Sequence, residues 1–177
     1  MLKTPPLVWA VDTHTLTRAV ETLSFEADAA EREALGAYAD VREVKSFKAT
    51  VQVIPLNGGR FRVSGRLEAD VVQASVVDLA DVPAQLDERF QVEFWPPELI
   101  EGDSEGEPSF EDEPPEALSG TKILIGAFLS ELFSVSLEPY PRNEGDSLDW
   151  QAPDESLAHP FAELIRLRPK TGNGVDG

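Results

Sequence analysis

Cysteine is missing from all 177 residues, so disulfides, thiolate metal sites and cysteine nucleophiles are excluded together, and the chain fits a reducing cytosol. Histidine is nearly missing too. His14 and His159 are the only two, and neither sits in a Gly-x-Ser-x-Gly or His-Glu-x-x-His pattern. His159 directly precedes Pro160, where a cap or turn role is the simpler one. The acidic residues lack the spaced glycine of a calcium loop, and a hairpin accounts for Gly58-Gly59 without any phosphate cradle. No enzyme activity, cofactor or metal is therefore expected. Long apolar runs are also absent: the longest apolar-rich stretch, 123–137, is interrupted by Ser130, Glu131, Ser134 and Ser136. The first six residues, MLKTPP, contain no secretory apolar core. These absences predict a soluble, cytoplasmic protein.

Positive charge is scarce: 15 Lys+Arg stand against 33 Asp+Glu, for a net charge of −18. The excess is unevenly laid out. Between positions 101 and 116 stand Glu101, Asp103, Glu105, Glu107, Glu111, Asp112, Glu113 and Glu116, with no Lys or Arg among them. Gly102, Gly106, Pro108, Pro114 and Pro115 break the same stretch, so it predicts a flexible, solvated acidic loop. Such a loop repels phosphate and attracts cations, which favours a basic protein over bare nucleic acid as its partner. A plain solubilising insertion accounts for the same composition.

What is present is ordinary for a globular chain, 41% hydrophobic and 27% charged, and its length suits one domain over 1–170 with a disordered tail at 171–177. Residues 7–11 and 19–25 read as strands. Asp28 can cap a helix over 29–39, with Glu31 completing a capping box and Ala30, Ala34, Ala37 and Tyr38 as its inner face. From Val44 the period becomes two: Phe47, Ala49, Val51 and Val53 alternate with Lys48, Thr50 and Gln52. Asn57-Gly58-Gly59 marks a hairpin, and the returning strand runs over 60–77, with Gly65 read as a bulge or bend. A strand over 90–94 stops at Pro96-Pro97. Ile125, Phe128, Leu129, Leu132 and Phe133 predict a helix over 126–137, closed by Pro139-Tyr140-Pro141, and Pro160 opens a short helix over 160–167. The fold class expected is α+β: an antiparallel, strongly twisted sheet or partly open barrel around the long hairpin, packed by two or three helices.

Several stretches, in this order, carry a resemblance. They are Glu26-Ala27-Asp28-Ala29-Ala30-Glu31-Arg32, the run from Val63-Ser64-Gly65 through Gln73-Ala74-Ser75-Val76-Val77, Leu137-Glu138-Pro139-Tyr140-Pro141-Arg142, and His159-Pro160-Phe161-Ala162-Glu163-Leu164. Together they resemble the bacterial YceD-like family, the large ribosomal RNA subunit accumulation proteins, in its alphaproteobacterial form, over essentially the whole chain. The resemblance implies a non-enzymatic role in accumulation of large-subunit ribosomal RNA and assembly of that subunit. It also implies a gene-neighbourhood association with a small, basic protein of the large subunit. The chain departs from the family pattern at Ser75, where the family has cysteine, and at Leu124 and Ala127, where it has acids. Roles that need that thiol or those carboxylates do not carry over, and loss of the ancestral role stays open.

Two interaction surfaces follow. The acidic stretch is the first. Lys48, Arg60, Arg62 and Arg66 form the second, a basic patch on the polar face of the hairpin that can meet ribosomal RNA. That patch lacks aromatic interleaving, since Phe47 and Phe61 face the core, and Glu68 and Asp70 can pair with its arginines. A solvated face is favoured over RNA contact. Tyr140, held between two stiff prolines, and Arg142, which follows them, are further candidates for partner contact; a helix stop with the tyrosine packed over the core, and an internal salt bridge for Arg142, account for the same residues. An apolar rim near Trp95 and Tyr140 is expected to add specificity to the acidic stretch.

Overall fold

The computed structural model describes residues 4–16, 20–103 and 114–143. The five-stranded sheet has the order β2-β3-β4-β5-β6, where β2 is Glu21–Glu26, β3 Glu43–Pro55, β4 Phe61–Ala74, β5 Asp81–Trp95 and β6 Glu116–Ala117. Its first three pairings are antiparallel and β5 pairs with β6 in parallel. A two-stranded ladder joins β1 (Val11–Asp12) to β7 (Lys122–Ile123). Helices α1 (Ala29–Ala39), α2 (Pro97–Asp103) and α3 (Ile125–Ser136) complete an α+β fold whose sheet is open rather than closed into a barrel.

The strict alternation read from sequence places Phe47, Ala49, Val51 and Val53 of β3 and Val63, Leu67, Ala69 and Val71 of β4 in the core. α3 closes that core with Ile125, Leu129 and Phe133, all fully buried, and Phe133 meets the Phe47 ring edge-on at 5.5 Å. The bounds of α3 lie one residue from those expected. Its Ser130 hydroxyl donates to the Gly126 carbonyl at 2.7 Å, so a buried polar group in an apolar helix is satisfied.

The α1 capping box is present: Asp28 accepts from Glu31 N at 2.8 Å, and Glu31 accepts from Asp28 N at 3.0 Å. Its inner face differs from the alanine row expected. Leu35 and Gly36 are buried, Ala34 and Tyr38 are half-buried as expected, and Ala30 and Ala37 are exposed, while Glu31 accepts a 2.7 Å bond from Trp9 Nε1. Three strand bounds also change. Regular pairing near the amino end is confined to Val11–Asp12, since the Trp9 carbonyl instead accepts from Gly126 N at 2.9 Å. The strand expected over 19–25 runs over Glu21–Glu26. β4 stops at Ala74, because the Ser75 hydroxyl accepts from Val77 N and Asp78 N and turns the chain. β5 starts at Asp81, well before Phe90, and passes through Pro83. Its partner on one side is β4; β6 pairs on the other only at Phe94 and Trp95, so Pro83 costs no ladder bond to β6.

Gly65 is no bulge: it pairs in register with Val51 and Phe90, and the irregularity lies between Val44 and Ser46. A Cβ at Gly65 would strike the Thr50 carbonyl and stand 2.8 Å from Phe90 Cζ, so glycine is required by close approach. The helix read over 160–167 and the tail 171–177 lie outside the described residues.

Candidate functional site

Alternation along β3 and β4 sends Lys48, Arg62 and Arg66 to the polar face of the sheet, and each meets a carboxylate there. Lys48 Nζ lies 3.2 Å from Glu26 on β2. Arg62 donates from Nε at 3.1 Å and from Nη2 at 2.8 Å to one oxygen of Glu93, whose other oxygen accepts from Trp95 Nε1 at 2.9 Å. These bonds hold the Glu93 carboxyl below its usual range. Arg66 forks onto Asp87 and has Glu68 at 3.7 Å; its bond to Asp87 pushes the guanidinium up and the Asp87 carboxyl down. Asp70 accepts from Ser46 Oγ at 2.7 Å and Gln85 Nε2 at 2.8 Å, which lowers its carboxyl too. Arg60 stands apart, at the hairpin end, with its guanidinium 5.2 Å from the Trp95 ring centre and Nε donating to the Asn57 carbonyl. Charges so paired leave little free cation for phosphate at Lys48, Arg62 and Arg66.

The acidic stretch is anchored at the same end of the sheet, and its expected bounds contract from both sides. Glu101 and Asp103 lie in α2, which opens with Pro97 at a position where a missing N–H costs nothing. Glu116 lies in β6, held because Leu118 is buried and its N–H donates to the Trp95 carbonyl at 2.9 Å. Withdrawal from water, and then the Glu131 charge, push the Glu116 carboxyl up. Glu105, Glu107, Glu111, Asp112 and Glu113 lie outside the described residues.

At the opposite end of the sheet two sequence motifs, 65 residues apart, come together. The Gln73 side chain donates from Nε2 to the Glu138 carbonyl at 2.9 Å, and Val76 N donates to the Pro141 carbonyl at 2.9 Å. Ser75, fully buried, ties down the turn between them, and Ala80 N and the Ser75 hydroxyl hold the Asp78 carboxyl below its usual range. Leu79 sits at φ 62 in this turn, a left-handed conformation that a leucine rarely adopts. Arg42 donates to its carbonyl and pairs with Asp81 at 2.9 Å. The Gln73 Oε1 is buried with no hydrogen-bond partner among the described residues.

Val76, Leu79 and Tyr140 are 54%, 68% and 66% exposed, so the tyrosine ring is offered outward rather than packed over the core. Arg142 is exposed and has no ion-pair partner among the described residues. Trp95 and Tyr140 do not form one rim: Trp95 flanks the Phe61 end of β4 and Tyr140 the Ala74 end, about 40 Å of strand away. Tyr140 and Val76 lie within the motifs singled out from sequence. Leu79 and Arg42 do not, and no spacing or composition signal marks them.

Among the described residues, no three His, Asp or Glu side chains are grouped to hold a metal ion, and no helix is long and apolar enough to cross a membrane. Comparison with family models, curated proteins and solved structures returns no match to this chain.

Proposed function

We propose that this protein is a non-enzymatic assembly factor that supports accumulation of large-subunit ribosomal RNA by binding a basic ribosomal protein. The acidic surface stands in for RNA phosphate until that protein is delivered. The resemblance to the YceD-like family supplies the biological setting. The observation that carries the mode of action is the charge layout: a net −18, with Lys48, Arg62 and Arg66 all occupied by carboxylates of the same sheet. Complementary charge gives fast capture and salt-sensitive release, which suits a transient carrier. Action in the cytoplasm accords with this reading.

The test is binding of purified basic large-subunit proteins to the full chain and to a variant lacking residues 104–113, which keeps α2 and β6. The expected result is weaker binding by the deletion and an affinity that falls steeply with salt. Equal binding by both proteins would remove the acidic stretch from the mechanism. The competing reading is direct contact with ribosomal RNA through Lys48, Arg60, Arg62, Arg66 and Arg142. It predicts tight filter binding of large-subunit RNA that is lost on Arg60→Glu with Arg142→Glu, the two of these five side chains that no carboxylate among the described residues pairs.

A further inference from the structure

We infer that the open edge of β5 over residues 84–92 docks an extended, basic segment of the partner, which adds to the sheet as a strand and sets a lysine or arginine against Glu88. This rests on the reading of the protein as a binder of basic protein, and names the surface that reads the partner once charge has captured it.

The backbone of β5 supplies the first argument. Its even-numbered residues turn their polar groups toward β4, in phase with the bond from Ser75 N to the Ala80 carbonyl. Its odd-numbered residues turn theirs outward, in phase with the Trp95 carbonyl that accepts from Leu118 N. β6 meets this outer side only at Phe94 and Trp95. The N–H and C=O groups of Gln85, Asp87, Arg89 and Gln91 therefore face outward with no strand to meet them among the described residues. An edge of this kind takes an added strand through main-chain bonds, and β6 already does so at one end.

The side chains say which strand. Leu86 and Phe90 lie half-buried on the core face, the Phe90 ring 5.3 Å from that of Phe128, and an added strand with aliphatic residues on that face finishes covering them. Between them stands Glu88, half-buried, in register with the fully buried Leu67 and in no ion pair among the described residues. A strand laid beside it withdraws its carboxylate further from water, which is costly unless the strand brings a cation. A second copy of this edge offers Val82, Ala84, Leu86, Glu88, Phe90 and Val92 on that face, none of them basic. Glu88 thus turns away self-pairing and selects a basic residue flanked by apolar ones. On the polar face Arg66 and Arg89 stand in register, and steer an incoming cation to the Glu88 side. Position agrees: α2 and β6 hold the two ends of the acidic stretch beside Trp95, so a basic partner caught there arrives at the end of the open strand.

The experiment uses the full chain and two peptides of one composition. In Thr-Val-Thr-Lys-Thr-Val-Thr the lysine shares a face with both valines; in Thr-Val-Lys-Thr-Thr-Val-Thr it lies on the other. Each is titrated while NMR follows the backbone N–H groups of Gln85, Asp87, Arg89 and Gln91. These four are expected to exchange quickly with solvent in the free protein. Protection before any peptide is added means that another part of the chain, or a second copy, already covers the edge, and overturns the inference. The first peptide is expected to bind about tenfold more tightly than the second and to protect the four amides. Glu88→Gln brings the ratio to about one, and Glu88→Lys transfers the preference to a peptide with glutamate in place of the central lysine. A ratio of one in the unaltered protein, or a ratio that survives Glu88→Gln, overturns the inference. If the ratio holds while ribosomal-protein binding ignores removal of residues 104–113, the acidic-carrier reading falls and the edge stands. If that removal weakens ribosomal-protein binding while the ratio is one, the edge alone falls.

Discussion

Single residues decide several features here, and glycines show how. Gly126 in α3 has a helix-propensity reason to be alanine, worth about 1 kcal/mol. Sterics outweigh it: a Cβ there would lie 2.6 Å from both the Leu7 carbonyl oxygen and the Trp9 nitrogen. Gly126→Ala should therefore destabilise by roughly 2 kcal/mol or more, and Gly65→Ala, against the Thr50 carbonyl and Phe90, by a similar amount, both read as lower urea midpoints. Leu79 runs the other way. Leu79→Gly should be neutral or stabilising by up to about 1 kcal/mol, while Leu79→Val should cost more than about 1 kcal/mol because a β-branched side chain tolerates positive φ worst. A loss of stability in Leu79→Gly would contradict the strain at that turn. The sequence exposes Gly65 as unusual, since it breaks an apolar row, but not why. The reason is the Phe90 ring on the next strand, and cross-strand neighbours are invisible to a linear reading.

At the scale of elements, legibility tracks how local the cause is. The α1 capping box and the β3–β4 hairpin are encoded within a few residues each, and both were readable from Asp28, Glu31 and Asn57-Gly58-Gly59. β5 is legible only over 90–94: upstream, Pro83 and the charged run Asp87-Glu88-Arg89 look unlike a strand, and in-register pairing with β4 makes one. The convergence of Gln73 with Glu138 depends on how the whole sheet is ordered, so each motif was legible and their meeting was not. Two outcomes test the local account. Asp28→Ala should cost α1 about 1 kcal/mol of stability through its lost cap. A double-mutant cycle on Arg62 and Glu93 should return a coupling below about 1 kcal/mol, since both side chains stay accessible to water. A much larger coupling would mean that the polar face is a structural keystone instead of a self-neutralised surface.

For the molecule as a whole, pH acts through two opposed effects. Asp70, Asp78, Asp87 and Glu93 are more acidic folded than unfolded, so the unfolded chain binds more protons in that window. Their stabilisation is complete above the ordinary carboxylate range near pH 4 and is lost as pH falls through their folded values. Glu116, raised, has the reverse sign: its contribution is complete at low pH and is lost as pH rises through its folded value. The net charge of −18 adds self-repulsion that mild acid relieves. Stability should therefore peak near about pH 5 and fall on further acidification, as followed by thermal melts across pH. A peak at alkaline pH would contradict this balance.

The same surplus of negative charge is what the proposed role uses, and a cell reads it most directly. The measurement is the ratio of large- to small-subunit ribosomal RNA in cells depleted of the protein and then supplied with the full chain or with the variant lacking residues 104–113. The account predicts a depressed ratio on depletion, restored by the full chain and not by the variant. An unchanged ratio on depletion would contradict it.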